Sequence, residues 1–161
     1  CQPIGEFVKS YLRKSKVSID PFARNKEWAT YTNDLNPDTS AKSHMMAIDY
    51  LAMLKSHGVK ADLIIFDPPY SLRQVKEVYD QFGKFTFEDS KEAGKWTAEK
   101  KLCYELLLPG GTFLYFGWNT NGLGLKNGAR IEEILLVSHG GSHNDTICMA
   151  EIKDYHQPNM I

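Results

Sequence analysis

Three cysteines among 161 residues, Cys1, Cys103 and Cys148, are an odd number with no metal-like spacing. A disulfide framework and a thiolate metal site are therefore not expected, and the thiols read as reduced, in a cytoplasm. No apolar run approaches membrane-spanning length and no segment reads as a signal peptide, so no membrane role is expected. The chain opens on Cys1 rather than Met, which leaves room for residues before it. Charge of one sign is also lacking: 19 Lys and Arg stand against 20 Asp and Glu, a net charge of −1. Global basicity thus does not advertise nucleic acid. Internal repeats and low-complexity linkers are absent. No Gly-x-Gly-x-x-Gly follows the first strand, so a pyrophosphate cradle is excluded.

What is present is an ordinary globular composition, 42% hydrophobic and 12% aromatic, in a length that favours one domain. Basic residues are uneven. Six (Lys9, Arg13, Lys14, Lys16, Arg24, Lys26) against two acids (Glu6, Asp20) occupy residues 1 to 26. They read either as a solvated helix face or as a basic rim beside a polyanion site. Residues 4 to 14 carry a helical stripe of Ile4, Phe7, Val8, Tyr11 and Leu12. "KVSID" is a short strand ending at Asp20-Pro21, and residues 29 to 35 (ATYTNDL) form a second, closed by Asn36-Pro37. Residues 37 to 58 are expected to be mostly helical, striped by Met46, Tyr50, Met53 and Leu54, with Gly58 as C-cap.

"ADLIIFD" is a continuous apolar run, as in a central parallel strand buried on both faces. A helix striped by Leu72, Val75, Val78, Tyr79 and Phe82 follows, then another over about 91 to 108 with Trp96, Cys103, Leu106 and Leu107 inward. Pro109-Gly110-Gly111 turns the chain into the buried strand "TFLYFGW". "EEILLVSHG" and "DTICMAEIK" around "GSHN" predict a terminal antiparallel hairpin. The fold class is α/β, a mostly parallel sheet with helices on both faces.

Ligands of such sheets bind outside the strand carboxyl ends. Asp20, Asp34 and Asp67 all fall there. Each alone is an ordinary turn former or helix cap; three on one edge point to a ligand. An acid after the second strand suits ribose hydroxyls, hence a nucleoside-bearing cofactor without a pyrophosphate. Asp67-Pro68-Pro69-Tyr70 ends its strand with two acceptors, the Asp67 carboxylate and the Pro68 carbonyl, beside a flat ring. That set fits a planar group with an exocyclic NH₂, such as adenine unstacked from its neighbours. Two acceptors on the N–H bonds favour a pyramidal nitrogen with its lone pair turned outward. Methyl transfer by in-line displacement then needs positioning and electrostatics rather than a covalent enzyme intermediate.

These residues resemble the amino-methyltransferases of DNA, which use S-adenosylmethionine to methylate adenine N6 or cytosine N4. "DPPY" (67 to 70) matches their catalytic motif letter for letter, in the form most associated with adenine. "SIDPFA" (18 to 23) resembles the start of their cofactor motif, "YTNDLNP" the strand whose acid holds the cofactor ribose, and "LLLPGGTFLYF" a strand entered by a Pro-Gly-Gly turn. "HGGSHND" sits where their last hairpin lies, and "QPIGEFVKSYL" resembles the segment preceding the cofactor loop, with Pro3 in the expected place. The resemblance implies a Rossmann-like methyltransferase fold over residues 1–161, a single minimal catalytic domain without a separate target-recognition domain. It implies Asp67, Pro68, Pro69 and Tyr70 as catalytic, and Pro3, Asp20, Pro21, Phe22, Ala23, Asp34, Leu35 and Asp49 as cofactor-binding. The implied partner is nucleic acid, DNA favoured over RNA, with a homodimer or a separate specificity subunit supplying recognition.

The family's Gly-x-Gly is replaced by Arg24-Asn25-Lys26, and Met46 stands where an acid binds the cofactor's adenine, leaving Asp49 one turn later to substitute. Two alternatives therefore stand beside DNA adenine methylation. One is a ribosomal RNA guanine-N2 methyltransferase, whose Asp-Pro-Pro-aromatic loops are similar. The other is a non-catalytic methyltransferase-like subunit that binds nucleic acid or supports a partner. Residues 83 to 100 read equally as a lid over the target base or as a solvated loop and helix start. Residues 117 to 128 (GWNTNGLGLKNG) read as pocket wall or connecting loop, and Trp28 and Trp118 as stacking platforms or as core and rim. His139, His143 and Asp145 fit a turn built on Gly140-Gly141 better than a metal site.

Overall fold

The computed structural model describes residues 2–69, 76–77, 80–81, 95–141 and 143–155. Helix α1 (Gln2–Leu12) leads to strands β1 (Ser18–Asp20) and β2 (Tyr31–Thr32), then α2 (Ala47–Ser56) and β3 (Ala61–Phe66). Helix α3 (Thr97–Leu106), β4 (Leu107–Gly117), a 3₁₀ turn (Leu125–Asn127), β5 (Ala129–Val137) and β6 (Thr146–Lys153) complete the order. The six strands form one sheet, β2-β1-β3-β4-β6-β5. β1 to β4 pair in parallel, while β6 runs antiparallel to both β4 and β5. The parallel sheet with a terminal antiparallel hairpin is as the sequence pattern predicts.

Period-two alternation distributes the apolar run of β3 to both faces. Leu63 and Ile65 pack with Phe7 and Val8 of α1, and with Leu114 and Phe116 of β4. Ile64 and Phe66 face Tyr50, Leu51 and Leu54 of α2 and Cys103 and Leu106 of α3. Helices on both sides explain why this strand needs no polar alternation. Its direction sets the ligand edge: β3 runs from Ala61 to Phe66 and delivers Asp67 at its carboxyl end.

Three expectations change. Residues 37–46 are not helical; helix begins only at Ala47. The turn chemistry of Asn36 to Ser40 wins: the Asn36 side-chain oxygen accepts from the Asp38 amide at 2.9 Å, and Ser43 forms a parallel bridge with Asn33. The second strand is correspondingly short, Tyr31–Thr32, so Asp34 lies just beyond it. Leu107 and Leu108 belong to β4 rather than to the preceding helix, and Pro109-Gly110-Gly111 is a bulge within that strand. Between the pairs Ala61–Leu107 and Leu63–Thr112, β4 carries three more residues than β3. Lys153, buried in β6, stabilises the helix-to-strand junction by donating to the carbonyls of Tyr104 (2.6 Å) and Leu107 (2.8 Å). Gly58 does end α2 in a left-handed conformation, φ +72°. The helix expected to be striped by Leu72, Val75, Val78, Tyr79 and Phe82 has those positions outside the described residues, and so does most of 83 to 100.

The loop after β4 is pinned from below. Glu151, 1% exposed on β6, accepts from the backbone amides of Leu123 (2.7 Å) and Gly124 (2.9 Å). Lys100 of α3 donates to the Asn121 carbonyl and lies 5.1 Å from the Tyr115 ring centroid. Glu151→Ala strands one buried and one part-buried amide, and is expected to destabilise the fold by roughly 3 kcal/mol in urea titration. A loss below about 1 kcal/mol would show the loop to be held by other contacts.

Candidate functional site

The ligand edge carries a cavity of about 320 Å³. One wall comes from the turn after β1 (Pro21, Phe22, Arg24, Asn25), another from the chain beyond β2 (Asn33 to Asn36, Thr39). Met45 and Ala47 close it toward α2, and Asp67, Pro69 and Gln81 form the remaining side. The strand-end acids are thus gathered at one place, two of them in the cavity wall.

Asp34 organises the walls. One carboxylate oxygen accepts from the Arg24 amide at 3.0 Å and the other from the Asn36 amide at 2.9 Å. Arg24 has φ +52°, the left-handed region that a glycine adopts freely. Asp34 therefore holds an arginine in the bend where a glycine was expected, offsetting a backbone cost of order 1–3 kcal/mol. Arg24 and Asn25 both line the cavity. Asn25 ties the two walls together by accepting from the Ser40 amide at 3.1 Å.

Asp20 lies at the base of this edge, 2% exposed, and accepts from the Phe22 amide at 3.0 Å. Burial pushes its carboxyl up to about 7; the neighbouring Asp67 and Asp34 add to the rise, while the Phe22 amide and Lys26 oppose it. Asp67 and Pro69 are half-buried, and Pro68 between them is buried.

The remaining expected residues divide. Pro21, Phe22, Asp34, Leu35, Asp67 and Pro69 line the cavity. Ala23 is fully buried, its amide donating to the Asn33 carbonyl at 2.9 Å, and supports the wall from behind. Pro3 is exposed on α1 and Asp49 exposed on α2, and neither lines the cavity. Tyr70 lies outside the described residues.

Asn33 was not singled out in the sequence. It is 1% exposed, donates to the carbonyls of Pro21 (3.2 Å) and Met45 (3.0 Å), and accepts from the Met45 amide at 3.0 Å. One amide side chain thus joins three segments of the wall. The signal was a polar residue at the end of an apolar strand, hidden beside the more conspicuous Asp34.

Of the basic N-terminal residues, Arg24 lines the cavity and two others meet at Trp28. The Lys16 amide donates to Asp62 at 2.8 Å, near the start of β3 and so toward the edge opposite Asp67. Lys9 and Lys26 flank the half-buried Trp28 ring, 5.8 and 5.0 Å from its centroid. Among the described residues no three His, Cys, Asp or Glu side chains form a metal-binding group; His139 pairs with Thr146 at 2.8 Å. Gly140 and Gly141, with φ +63° and +60°, build the turn after it. No helix among the described residues is long and apolar enough to cross a membrane.

Solved structures that match this architecture include methyltransferases. The N-methyltransferase NodS from Bradyrhizobium japonicum WM9, in complex with S-adenosyl-L-homocysteine, matches 94% of this chain and 86% of its own at TM-score 0.60 and 8% identity. NSun6 from Pyrococcus horikoshii, with SFG, matches 91% of this chain and 50% of its own at TM-score 0.58 and 16% identity. The chain has the Rossmann-like methyltransferase fold. TrmN from Thermus thermophilus shares it at TM-score 0.58 and 15% identity, over 90% of this chain and 47% of that one. The chain thus spans about half the length of several structures that it matches. No family model matches the sequence, and no curated protein does.

Proposed function

We propose that this chain binds S-adenosylmethionine and methylates an exocyclic amine of a nucleobase, with adenine N6 in DNA as the favoured acceptor. The observation that carries the reading is the Asp67-Pro68-Pro69 loop opening on the same cavity as the Asp34 carboxylate. The residues fit the cofactor: a cavity of about 320 Å³ offers an acid for ribose hydroxyls and apolar walls from Phe22, Leu35 and Met45. Bound there, the cofactor would supply an electrophilic methyl group. Asp67 and the Pro68 carbonyl accept the two N–H bonds of the target amine and direct its lone pair away from the ring. As the N–C bond forms, the amine becomes more acidic, and Asp67 is placed to receive or pass on the released proton. Free Cys103 and Cys148, both buried, accord with work in a reducing cytoplasm.

The deciding experiment incubates the chain with methyl-labelled cofactor and either DNA or RNA, followed by nucleoside analysis. N6-methyladenine in DNA supports the reading, N2-methylguanine in RNA favours the ribosomal alternative, and cytosine N4 changes the base alone. Isothermal titration with S-adenosylhomocysteine addresses a non-catalytic subunit, because Arg24 and Asn25 stand in the cavity wall in place of the family's glycine loop. Asp34→Ala is expected to weaken that binding at least about tenfold, through loss of the ribose acceptor and release of the Arg24 bend. Unaltered affinity would remove Asp34 from the cofactor site.

A further inference from the structure

The turn after β1 uses up its own main chain. The Phe22 amide donates to the Asp20 carboxylate at 3.0 Å and the Ala23 amide to the Asn33 carbonyl at 2.9 Å. The Arg24 amide donates to Asp34 at 3.0 Å and the Lys26 amide to the Ala23 carbonyl at 2.9 Å. Four of the five amides from Phe22 to Lys26 are therefore committed within the protein. A glycine-rich turn holds an anion with a row of free backbone N–H groups. This turn has no such row to offer, so an anion bound beside it has to be met by a side chain.

The charge of the cavity wall singles out one side chain. Asp34 and Asp67 line the cavity, and Asp20 is enclosed at the base of the same edge. Among the described residues of the lining, Arg24 is the only cation. Lys26 does not line it, and lies instead 5.0 Å from the Trp28 ring centroid. The ion pairs among the described residues are Lys55–Glu105 and Arg130–Asp154, and the Arg24 guanidinium joins neither. An arginine at φ +52° also has a backbone cost that a glycine would avoid. S-adenosylmethionine carries one carboxylate, on its methionine end. Acids in the wall would repel that group, whereas a guanidinium matches it with two parallel N–H donors.

We infer that the Arg24 guanidinium binds the carboxylate of the cofactor's methionine end, replacing by a side chain what a glycine turn does with main-chain amides. The inference rests on the cofactor reading above. It gives the two walls separate tasks: Asp34 takes the ribose hydroxyls, and the arginine whose bend Asp34 supports takes the far end of the same molecule.

The test is isothermal titration of the full chain with S-adenosylhomocysteine and with its decarboxylated analogue, which lacks only the carboxylate. Wild type is expected to bind the first about tenfold more tightly. Arg24→Gly should lose that preference: affinity for S-adenosylhomocysteine falls about tenfold, and affinity for the analogue does not change. Its unfolding temperature should not fall, because glycine adopts this bend freely. Arg24→Lys keeps the charge without the fork and should lie between the two. An arginine that only shapes the wall would, when removed, weaken both ligands alike. Equal loss for both ligands in Arg24→Gly, or undiminished affinity for S-adenosylhomocysteine, overturns the inference. So does a wild type indifferent to the carboxylate, a result that stands even if the variant misfolds. The two readings fail separately. If wild type binds S-adenosylhomocysteine and Arg24→Gly binds it as tightly, only this inference falls. If wild type binds neither ligand, the cofactor reading falls with it.

Discussion

Asp67→Ala is expected to lower methyl transfer by roughly a thousandfold while the protein stays folded. On the proposed function this variant loses one of the two acceptors for the target amine, and the Pro68 carbonyl alone would leave the lone pair poorly aimed. The fold should survive because Asp67 lies beyond the end of β3 and is only half-buried, whereas Phe66 beneath it is fully buried. Asp67→Asn keeps one side-chain acceptor and should retain part of the rate. Methyl incorporation from labelled cofactor, with near-ultraviolet circular dichroism as the check on folding, measures both. Wild-type turnover in Asp67→Ala would sink the mechanism.

The second large effect concerns stability and pH. Burial raises the Asp20 carboxyl from 3.8 to about 7 in the folded chain. The folded protein therefore keeps a proton that the unfolded chain has released, and stability falls as pH rises through the window from about 4 to 7. At about 1.4 kcal/mol for each pH unit, this single group takes away roughly 4 kcal/mol across that window. Its contribution is most favourable below pH 4 and fully lost above 7. Asp20→Asn keeps the acceptor for the Phe22 amide and cannot ionise. The variant should be more stable than wild type at pH 8, by up to roughly 4 kcal/mol, with the gap closing toward pH 4. Urea titrations at pH 5 and pH 8 measure this. Parallel pH profiles for the two proteins would show that Asp20 does not titrate as its surroundings imply.

Both effects trace to acids visible in the sequence, yet they behave differently in the fold. All three stand at or just past the carboxyl ends of parallel strands, so period and position alone placed them on one edge. Their burial differs sharply. Asp20 is enclosed, while Asp34 and Asp67 reach the cavity. That difference depends on which side chains converge from β2, α2 and the turn after β1, and local pattern carries no record of it.

Other features were legible for a local reason or missed for a nonlocal one. The buried run of β3 and the C-cap at Gly58 are set by neighbours in sequence, and they came out as expected. The extended helix over 37 to 46 did not, because side-chain hydrogen bonds of Asn36 and the bridge from Asn33 to Ser43 compete with helix for the same backbone groups. After Ala23 the sequence has Arg24-Asn25-Lys26 in place of the family's Gly-x-Gly. The structure instead shows Arg24 in the glycine conformation, held by a carboxylate ten residues later.

The sequence by itself determined the α/β class, the central strand and the identity of the loop that strand presents, because these follow from hydrophobic period and from the stiffness of two prolines. Only the tertiary structure decided that Asp34 supports the Arg24 bend, that Asn33 joins three wall segments, and that Trp96 packs edge to face against Phe22 and Phe66. Each of these depends on groups distant in sequence sharing one desolvated volume, where the strength of a hydrogen bond and the cost of lacking one are set by what the rest of the chain brings there.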